Sequence, residues 1–406
     1  MRVASATVQG VNRLTARWAG AADGGTVVSA AGVWPLLAFL ADGAAGPARA
    51  ELAEALGLPA EQAAGAAREL LASMGAMPGL DTAVGLWTKR TVELREEWAA
   101  GLPDEAHGVL THDLAATREA LDAWAAKRTG ELVDRMPVPL TEDTELVLAS
   151  ALAMRTRWLM PFDEVPLETA HEPWAEPERL GLVRSTAVLD RIGVAETPHG
   201  SVTELKVLGT NALDVHLLLG EERMTPGQVL RAGVDLLARR WPVVPGPQLP
   251  YGDVGPGLSV VRERCSAPQP PSLDVTTAAF EVRADHDLLA LHRVFGLTTA
   301  RDTRQGHFPG VSDSPPLALG SAGQSAMARF GALGFEAAAV TGFAAVAGGG
   351  PPKLRHVKTT IDARFDRPFG FLALHRHSRL VLAAGWVTDP LPFPETPLHS
   401  GAWENE

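Results

Sequence analysis

The sequence predicts an α+β fold with large antiparallel sheets. Apolar side chains in the first third of the 406 residues recur at helical spacing, and most of the remainder alternates apolar and polar residues as half-buried strands do. The two blocks show no regular β-α-β alternation, which argues against a parallel sheet. No linker rich in Ser, Gly and Pro divides the chain, so we expect one domain over residues 1–406.

The individual elements follow from these periods. Apolar residues repeat at three and four positions, the helical pattern, in 8–18, 33–40, 47–56, 61–74 and 117–129. Pro47 suits the first turn of its helix, where a missing N–H costs nothing. Strand patterns occupy 80–88, 145–154, 202–209, 213–220 and 276–284. The last sixty residues add three strands, which we expect to pair antiparallel, at 357–365, 368–376 and 379–387.

Charge and apolar patterning exclude several classes of partner. Asp and Glu outnumber Lys and Arg 48 to 36, so we expect no nucleic acid, whose phosphates need clustered cations. The longest apolar run, 30–41, contains Pro35 and is shorter than the ~20 residues that span a bilayer, so we expect no membrane segment. The N-terminal residues lack an apolar signal-peptide core. We expect a cytoplasmic protein, extracellular only by a non-standard route.

The sequence contains no motif of an enzyme or of a cofactor site. The patterns GxSxG, GxxxxGK[ST], GxGxxG and HExxH are all missing from it. Cys265 is the single cysteine, which excludes an intramolecular disulfide and indicates inert packing rather than catalysis. His375 and His377 share one face of a predicted strand, but no nearby carboxylate completes a ligand set, so we interpret them as surface histidines and predict no metal.

Five segments resemble the serpin family, in the order in which serpins carry them. They are VVSAAGVWPLLAFLADGAAGPARAELAEALGL at 27–58, AVGLWTKR at 83–90, LDAWAAKRTG at 121–130, SALAMRTRWLMPFD at 150–163 and FDRPFGFLALHRHSRLVLAAGWVTDP at 365–390. The resemblance covers nearly the whole chain and is weakest between 164 and 200. It implies three mostly antiparallel sheets, about eight or nine helices and an exposed reactive-centre loop, here about 334–357. We identify the chain as similar to a bacterial serpin with an atypical hinge.

The resemblance also implies an activity. In serpins a serine protease cleaves the exposed loop and becomes acylated, and the loop then inserts as a new strand in the main sheet. Some fifteen inserted residues at ~3.3 Å each carry the tethered protease roughly 50 Å, which distorts its catalytic site. The implied function is therefore a suicide-substrate inhibitor of serine endopeptidases, a monomer without a cofactor and not an enzyme.

The hinge of the loop departs from the family pattern. Its residues are Gly334, Phe335, Glu336, Ala337, Ala338 and Ala339, where serpins have Gly, then Thr or Ser, then Glu and alanines. We expect Phe335, the first inward residue, to be forced into a close-packed sheet at a cost of ~1 to 3 kcal/mol. The Gly and Pro of 348–352 are poor strand formers and would leave slack in the tether.

The scissile bond is placed by the family's strand after the loop. That alignment puts the specificity residue near Arg355, with Lys353, Leu354 and Lys358 as alternatives, and a cation there indicates a trypsin-like protease. Only five lysines occur in the chain, and two of them lie in this segment.

The residues that control sheet opening in serpins are also partly replaced. The resemblance assigns this role to Ser29, Ser150, Trp158 and Gln324. Gln324 and Ser325 stand where the family has His and Lys, and Gly32 and Ala332 replace a Ser and a Glu. We expect these changes to weaken control of insertion. Two alternatives stay open: a non-inhibitory serpin-fold protein that binds an unknown protein partner or a small ligand, which Phe335 and the 348–352 segment favour, and a flexible loop without a target.

Overall fold

The computed structural model describes residues 3–103, 106–141, 144–169, 171–172, 174–175, 178–312, 317–335 and 355–394. This part of the chain contains eight α-helices and twenty β-strands. The helices are α1 (Ser5–Ala19), α2 (Ala30–Gly43), α3 (Gly46–Leu56), α4 (Ala60–Gly75), α5 (Glu96–Ala99), α6 (Leu114–Thr129), α7 (Pro226–Leu237) and α8 (His292–Phe295).

The strands form three sheets. They are β1 (Thr26–Val28), β2 (Leu80–Lys89), β3 (His107–Leu110), β4 (Leu146–Met154), β5 (Thr156–Arg157), β6 (Asp163–Pro166), β7 (Leu180–Thr186), β8 (Ile192–Thr197), β9 (Gly200–Val207), β10 (Leu213–Gly220), β11 (Val243–Pro245), β12 (Gly252–Gly255), β13 (Leu258–Cys265), β14 (Ser272–Ala278), β15 (Phe280–Asp287), β16 (Ser321–Phe330), β17 (Gly334–Phe335), β18 (His356–Arg364), β19 (Phe369–His375) and β20 (Leu380–Val387).

Sheet 1 has the strand order β3-β2-β4-β16-β17-β5, with β15 on the other side of β16. Sheet 2 has the order β1-β20-β19-β10-β9-β8-β11, and sheet 3 has the order β12-β13-β18-β14-β7-β6. All pairs are antiparallel except β2 with β3, β4 with β16, and β14 with β18. The predicted α+β class and its three mostly antiparallel sheets are confirmed.

Helix α2 places its N-terminus at the centre of the molecule. Nearly every side chain of this helix is buried, and it packs against β2 and β4 of sheet 1 and against β20 of sheet 2. A helix that is apolar all round is stable only inside a core. Its N-cap is Ser29, whose hydroxyl oxygen accepts a hydrogen bond from the Gly32 N–H at 3.3 Å. Ser29 therefore lies directly beneath sheet 1.

The segment that follows α6 covers the outer face of sheet 1. Val133, Met136 and Val138 form a second, smaller core with Val147 and Ala149 of β4. Because this cover crosses the sheet between β4 and β16, it borders the site described below.

Three sequence predictions need correction. The pattern at 276–284 is two strands, β14 and β15, because the chain leaves sheet 3 at Ala279 and enters sheet 1. Strand β18 pairs with β13 and β14, while β19 and β20 pair with each other, so the last three strands do not form one ribbon. Helix α7 was missed, although Thr225 and Gln228 form a capping box and Pro226 occupies its first turn.

Candidate functional site

The parallel strands β4 and β16 separate part-way along sheet 1. They pair from Val147 with Ser321 to Ser150 with Gln324, and their pairing ends there. On this side of β16, no strand within the described ranges pairs with 325–329. We call the space between 151–154 and 325–329 the gap. Among the residues that the structure describes, the gap is therefore a strand position without an occupant.

A buried amide closes the lower end of the gap. The side-chain Nε2 of Gln324 donates to the carbonyl oxygen of Ser29 at 2.9 Å and to Oγ of Ser150 at 3.0 Å, and its Oε1 accepts from the Ser29 N–H at 2.8 Å. All three residues are at most 2% exposed. A buried amide that loses such partners pays its full desolvation cost, so this network holds β4, β16 and α2 together where pairing ends.

Strand β17 occupies the upper end of the gap. It lies between β5 and β16, with Phe335 opposite Thr156 on one side and opposite Phe330 on the other. Both pairings are antiparallel, so the chain at Phe335 is directed down into the gap. A side chain on Gly334 would overlap the backbone of Thr156, which explains the glycine at the first hinge position.

Phe335 is part of the core. It is 3% exposed, and its ring centroid lies 6.3 Å from that of Phe371. Phe371 in turn contacts Phe280, which stacks on Phe330 at 5.3 Å. The expectation that this ring must be forced into a closed sheet is therefore wrong for the structure, because β17 already widens the sheet and the ring joins an existing aromatic cluster.

Trp158 clamps the turn before β17. Its backbone N–H donates to the Leu333 carbonyl oxygen at 3.0 Å, and its indole Nε1 donates to the Gly331 carbonyl oxygen at 2.9 Å. Its ring centroid lies 4.9 Å from that of Phe330. These contacts fix the direction in which the hinge leaves sheet 1.

The far end of the loop joins sheet 3. The Arg355 N–H donates to the Cys265 carbonyl oxygen at 3.1 Å, and the Arg355 side chain is exposed. Lys358 lies inside β18, in register with Glu263 of β13. The predicted site residues Glu336, Ala337, Ala338, Ala339, Lys353 and Leu354 lie outside the described residues.

The remaining sequence predictions concern metals and membranes. His375 and His377 are close, with ring centroids 5.5 Å apart, and His375 Nδ1 hydrogen-bonds the Ser378 hydroxyl at 2.9 Å. Across the described part of the chain, no cluster of three His, Cys, Asp or Glu side chains is arranged to hold a metal ion. No described helix is both long enough and apolar enough to cross a membrane.

Comparison with known proteins points to one family. The family described as Serpin (serine protease inhibitor) matches residues 8–178. A rice sequence named serpin-Z6C (Oryza sativa subsp. japonica) is 26% identical over 338 residues, 78% of this chain and 76% of the relative. These matches support the assignment of the chain to the serpin family.

Solved serpin structures share the fold over almost the whole chain. Human thyroxine-binding globulin, crystallised with thyroxine, matches with a TM-score of 0.71 at 17% identity, covering 96% of this chain and 100% of that one. Serpin48 of the insect Tenebrio molitor matches with a TM-score of 0.67 at 18% identity, covering 94% and 98%. These likenesses show that the chain has the serpin fold. Serpins as a family are protease inhibitors and not catalytic enzymes.

In this serpin the polar network survives the replacements that the sequence shows. The Gln324 amide makes three hydrogen bonds. The expectation that the replacements weaken control of insertion stays a prediction, because these contacts describe only the intact sheet. A Cβ on Gly32 would lie 3.3 Å from Ser150 Oγ and 3.4 Å from Gln324 Nε2. A serine at position 32 would crowd both groups, so its glycine makes room for the amide.

Sequence reasoning missed His286, which lies beside this network. It pairs in register with Gln324 from the neighbouring strand β15, its Nε2 hydrogen-bonds the Val27 carbonyl oxygen at 2.8 Å, and its ring meets Trp18 edge-on at 5.0 Å. Burial lowers the pKa of His286, against smaller raising effects of the Val27 bond and Asp285. The strand predicted at 276–284 stops two residues short of it, and only the sheet pairing reveals the contact.

We expect Gln324→Ala to destabilise the intact serpin by about 2–4 kcal/mol, because it leaves buried Ser29 and Ser150 groups without their partner. Denaturant unfolding measures the change. The matched control, Gln62→Ala on the exposed face of α4, should stay within about 0.5 kcal/mol. Equal stabilities of the two variants would contradict the role of the amide.

His286 should make stability depend on pH. Its folded pKa is depressed, so its stabilising effect is complete above the unfolded value of about 6.5 and is lost as the pH falls toward the folded pKa. The free energy of unfolding, measured from pH 8 to 5, should fall more steeply in the natural protein than in His286→Gln. Replacing exposed His112 by Gln should leave the slope unchanged; identical slopes in all three proteins would exclude His286 as the cause.

Proposed function

We propose that this serpin inhibits a trypsin-like serine protease by cleavage after Arg355 and insertion of the loop into the gap. The observation that carries the proposal is β17, which lies between β5 and β16 and directs the chain into the open strand position of sheet 1. The loop already begins as strand β17 at the upper end of the gap. Release of its far end would therefore allow this strand to extend into the gap.

The far end is held weakly enough for release. Partners from β14 begin at Thr360, so among the described residues 356–359 pair with β13 alone. Arg355 is exposed and keeps one ladder bond, to Cys265, whereas cleavage after Lys358 would require β18 to leave β13 over more residues. This favours Arg355 over Lys358 as the specificity residue.

The chemistry then follows from the two ends of the loop. The serine oxygen of the protease attacks the Arg355 carbonyl carbon, the Arg355–His356 peptide bond breaks, and His356 leaves as a new amino terminus on β18. Arg355 stays esterified to the protease while the loop moves. Each new ladder hydrogen bond stabilises the inserted strand by ~1 kcal/mol, which offsets the cost of separating 147–150 from 321–324.

Mixing the protein with trypsin should give an SDS-stable complex of summed mass, because the ester survives once insertion has distorted the protease. Arg355→Gln should reduce complex formation at least tenfold, and the control Lys358→Gln should form the complex as the natural protein does. Complete cleavage of the loop with no complex would refute inhibition. The separated, cleaved serpin should unfold about 10 °C higher than the intact one, as ~10 new hydrogen bonds predict.

A second candidate function is binding of a small anionic ligand. A cavity of about 1220 Å³ lies between α1, α7 and the turn that joins β19 to β20. Five arginines line it against two carboxylates, Glu54 and Asp235: Arg13, Arg17, Arg231, Arg240 and Arg379. The buried Nε of Arg17 has no hydrogen-bond partner, although its guanidinium donates to the Ala55 carbonyl. The excess of arginines over carboxylates in the lining favours an anionic ligand, which could accept charge-assisted hydrogen bonds from them.

The cavity predicts a measurable binding reaction. The fluorescent anion 8-anilinonaphthalene-1-sulfonate should bind one per protein, and decanoate should displace it. Arg231→Gln should weaken binding about tenfold, the value of one charge-assisted hydrogen bond. Arg223→Gln removes an exposed arginine paired with Glu221 outside the cavity and should leave binding unchanged. Equal affinities of the two variants would refute this function.

A further inference from the structure

The inner face of sheet 3 continues beyond the core. Leu258 and Val260 of β13 are buried, with their partners Ala363 and Ile361 of β18. The next two pairs on the same face are Arg262 with Thr359 and Arg264 with Val357, and both arginines are exposed. Cross-strand partners point to the same side, so the face that begins as core ends as an exposed shelf.

Two large apolar side chains lie exposed on this shelf. Val357 is 61% exposed, and Tyr251, the single tyrosine of the chain, is 53% exposed. The Arg262 guanidinium lies 4.3 Å from the centre of the Tyr251 ring, and the Tyr251 hydroxyl hydrogen-bonds Thr359 Oγ1 at 3.0 Å. The ring is therefore held in one orientation before any partner arrives. Exposed, preordered Tyr and Arg are the residues that most often dominate binding energy.

The shelf is positive in a negative protein. The formal net charge of the chain is −12, yet the only charged side chains among the four residue pairs of this face are Arg262 and Arg264. Glu263 points to the opposite side of β13, where it accepts a hydrogen bond from Thr360 Oγ1 at 2.8 Å. A partner with an acidic surface would thus meet two cations without a neighbouring carboxylate on the same face.

The position of the shelf identifies the partner. Val357 is two residues after Arg355 and lies opposite Arg264, so any protein that engages the Arg355 bond also faces this surface. We infer that Tyr251, Arg262, Arg264 and Val357 form an exosite that selects serine proteases with acidic residues beside the active-site cleft. The inference rests on the proposed function, because it takes the protease that cleaves at Arg355 as its occupant.

The exosite acts on encounter rather than on chemistry. Complementary charge raises the association rate and makes it sensitive to salt, whereas loop insertion decides whether the complex becomes permanent. Experiment can therefore separate the exosite from loop insertion. The association rate measures the effect of the exosite, and the yield of stable complex measures insertion.

Two trypsin isoforms provide the probe, since anionic and cationic trypsin cleave after the same side chains but differ in surface charge. At low salt the natural protein should associate with the anionic isoform at least tenfold faster, and 0.5 M NaCl should remove most of the difference. Arg262→Ala with Arg264→Ala should slow the anionic isoform about tenfold without changing the yield of complex, and Tyr251→Ala should slow both isoforms.

The control pair is Arg223→Ala with Arg304→Ala, which removes the same charge from exposed sites elsewhere and should leave the rates unchanged. If complexes form at equal rates with both isoforms and all variants, the exosite is refuted while inhibition stands. If no complex forms, the proposed inhibition is refuted. The shelf is then tested by the binding of an anionic trypsin variant whose catalytic serine is replaced by alanine. Loss of that binding in the Arg262/Arg264 variant supports the exosite; unchanged binding overturns it.

Discussion

The whole arrangement depends on one buried amide. Gln324 uses both its oxygen and its nitrogen, and so ties the N-terminus of α2 to β4 and β16 at the point where their pairing ends. Because a buried amide is costly to leave unsatisfied, the sheet opens above Ser150 and stays closed below it. The length of the open strand position is thus decided by polar groups, whereas apolar packing fills the core on either side.

The hinge at Gly334 and Phe335 fixes the upper end of the gap, as the Gln324 network fixes the lower end. Trp158 holds the turn before β17, and Phe335 fills a place in the aromatic cluster beneath it, so the upper end of the gap is widened by one strand while the lower end is closed. A sheet with an incomplete strand position keeps unrealised ladder hydrogen bonds and apolar burial. Whether that free energy is released depends on the balance between the Gln324 network, which resists separation of β4 and β16, and the loop, whose first strand residues are already in position.

Three surfaces of the molecule serve different chemistry without sharing residues. The gap in sheet 1 lies between two strand segments, with the Gln324 amide at its lower end and aromatic side chains at its upper end, which suits a polypeptide strand. The shelf on sheet 3 presents Tyr251 beside arginines, which suits a folded partner of opposite charge. The cavity beside α1 is lined by more arginines than carboxylates, which suits a small anion. Because the three surfaces share no residues, the proposed ligand binding, protease encounter and loop insertion would be independent of one another.

The sequence by itself determined the local elements and the family. Apolar periods located α1, α2, α3, α4 and α6 within a few residues, and strands 213–220 and 379–387 were predicted almost to the residue, because burial of one face imposes its period on the chain. Resemblance to serpins selected Ser29, Ser150, Trp158 and Gln324. Only the tertiary structure decided what these residues do. The hydrogen bonds of Gln324 reach residues 174 and 295 positions away in the sequence, and the Phe335 ring packs near that of Phe371. His286 and the shelf around Tyr251 were missed for the same reason, since no local pattern records which strands a sheet brings together.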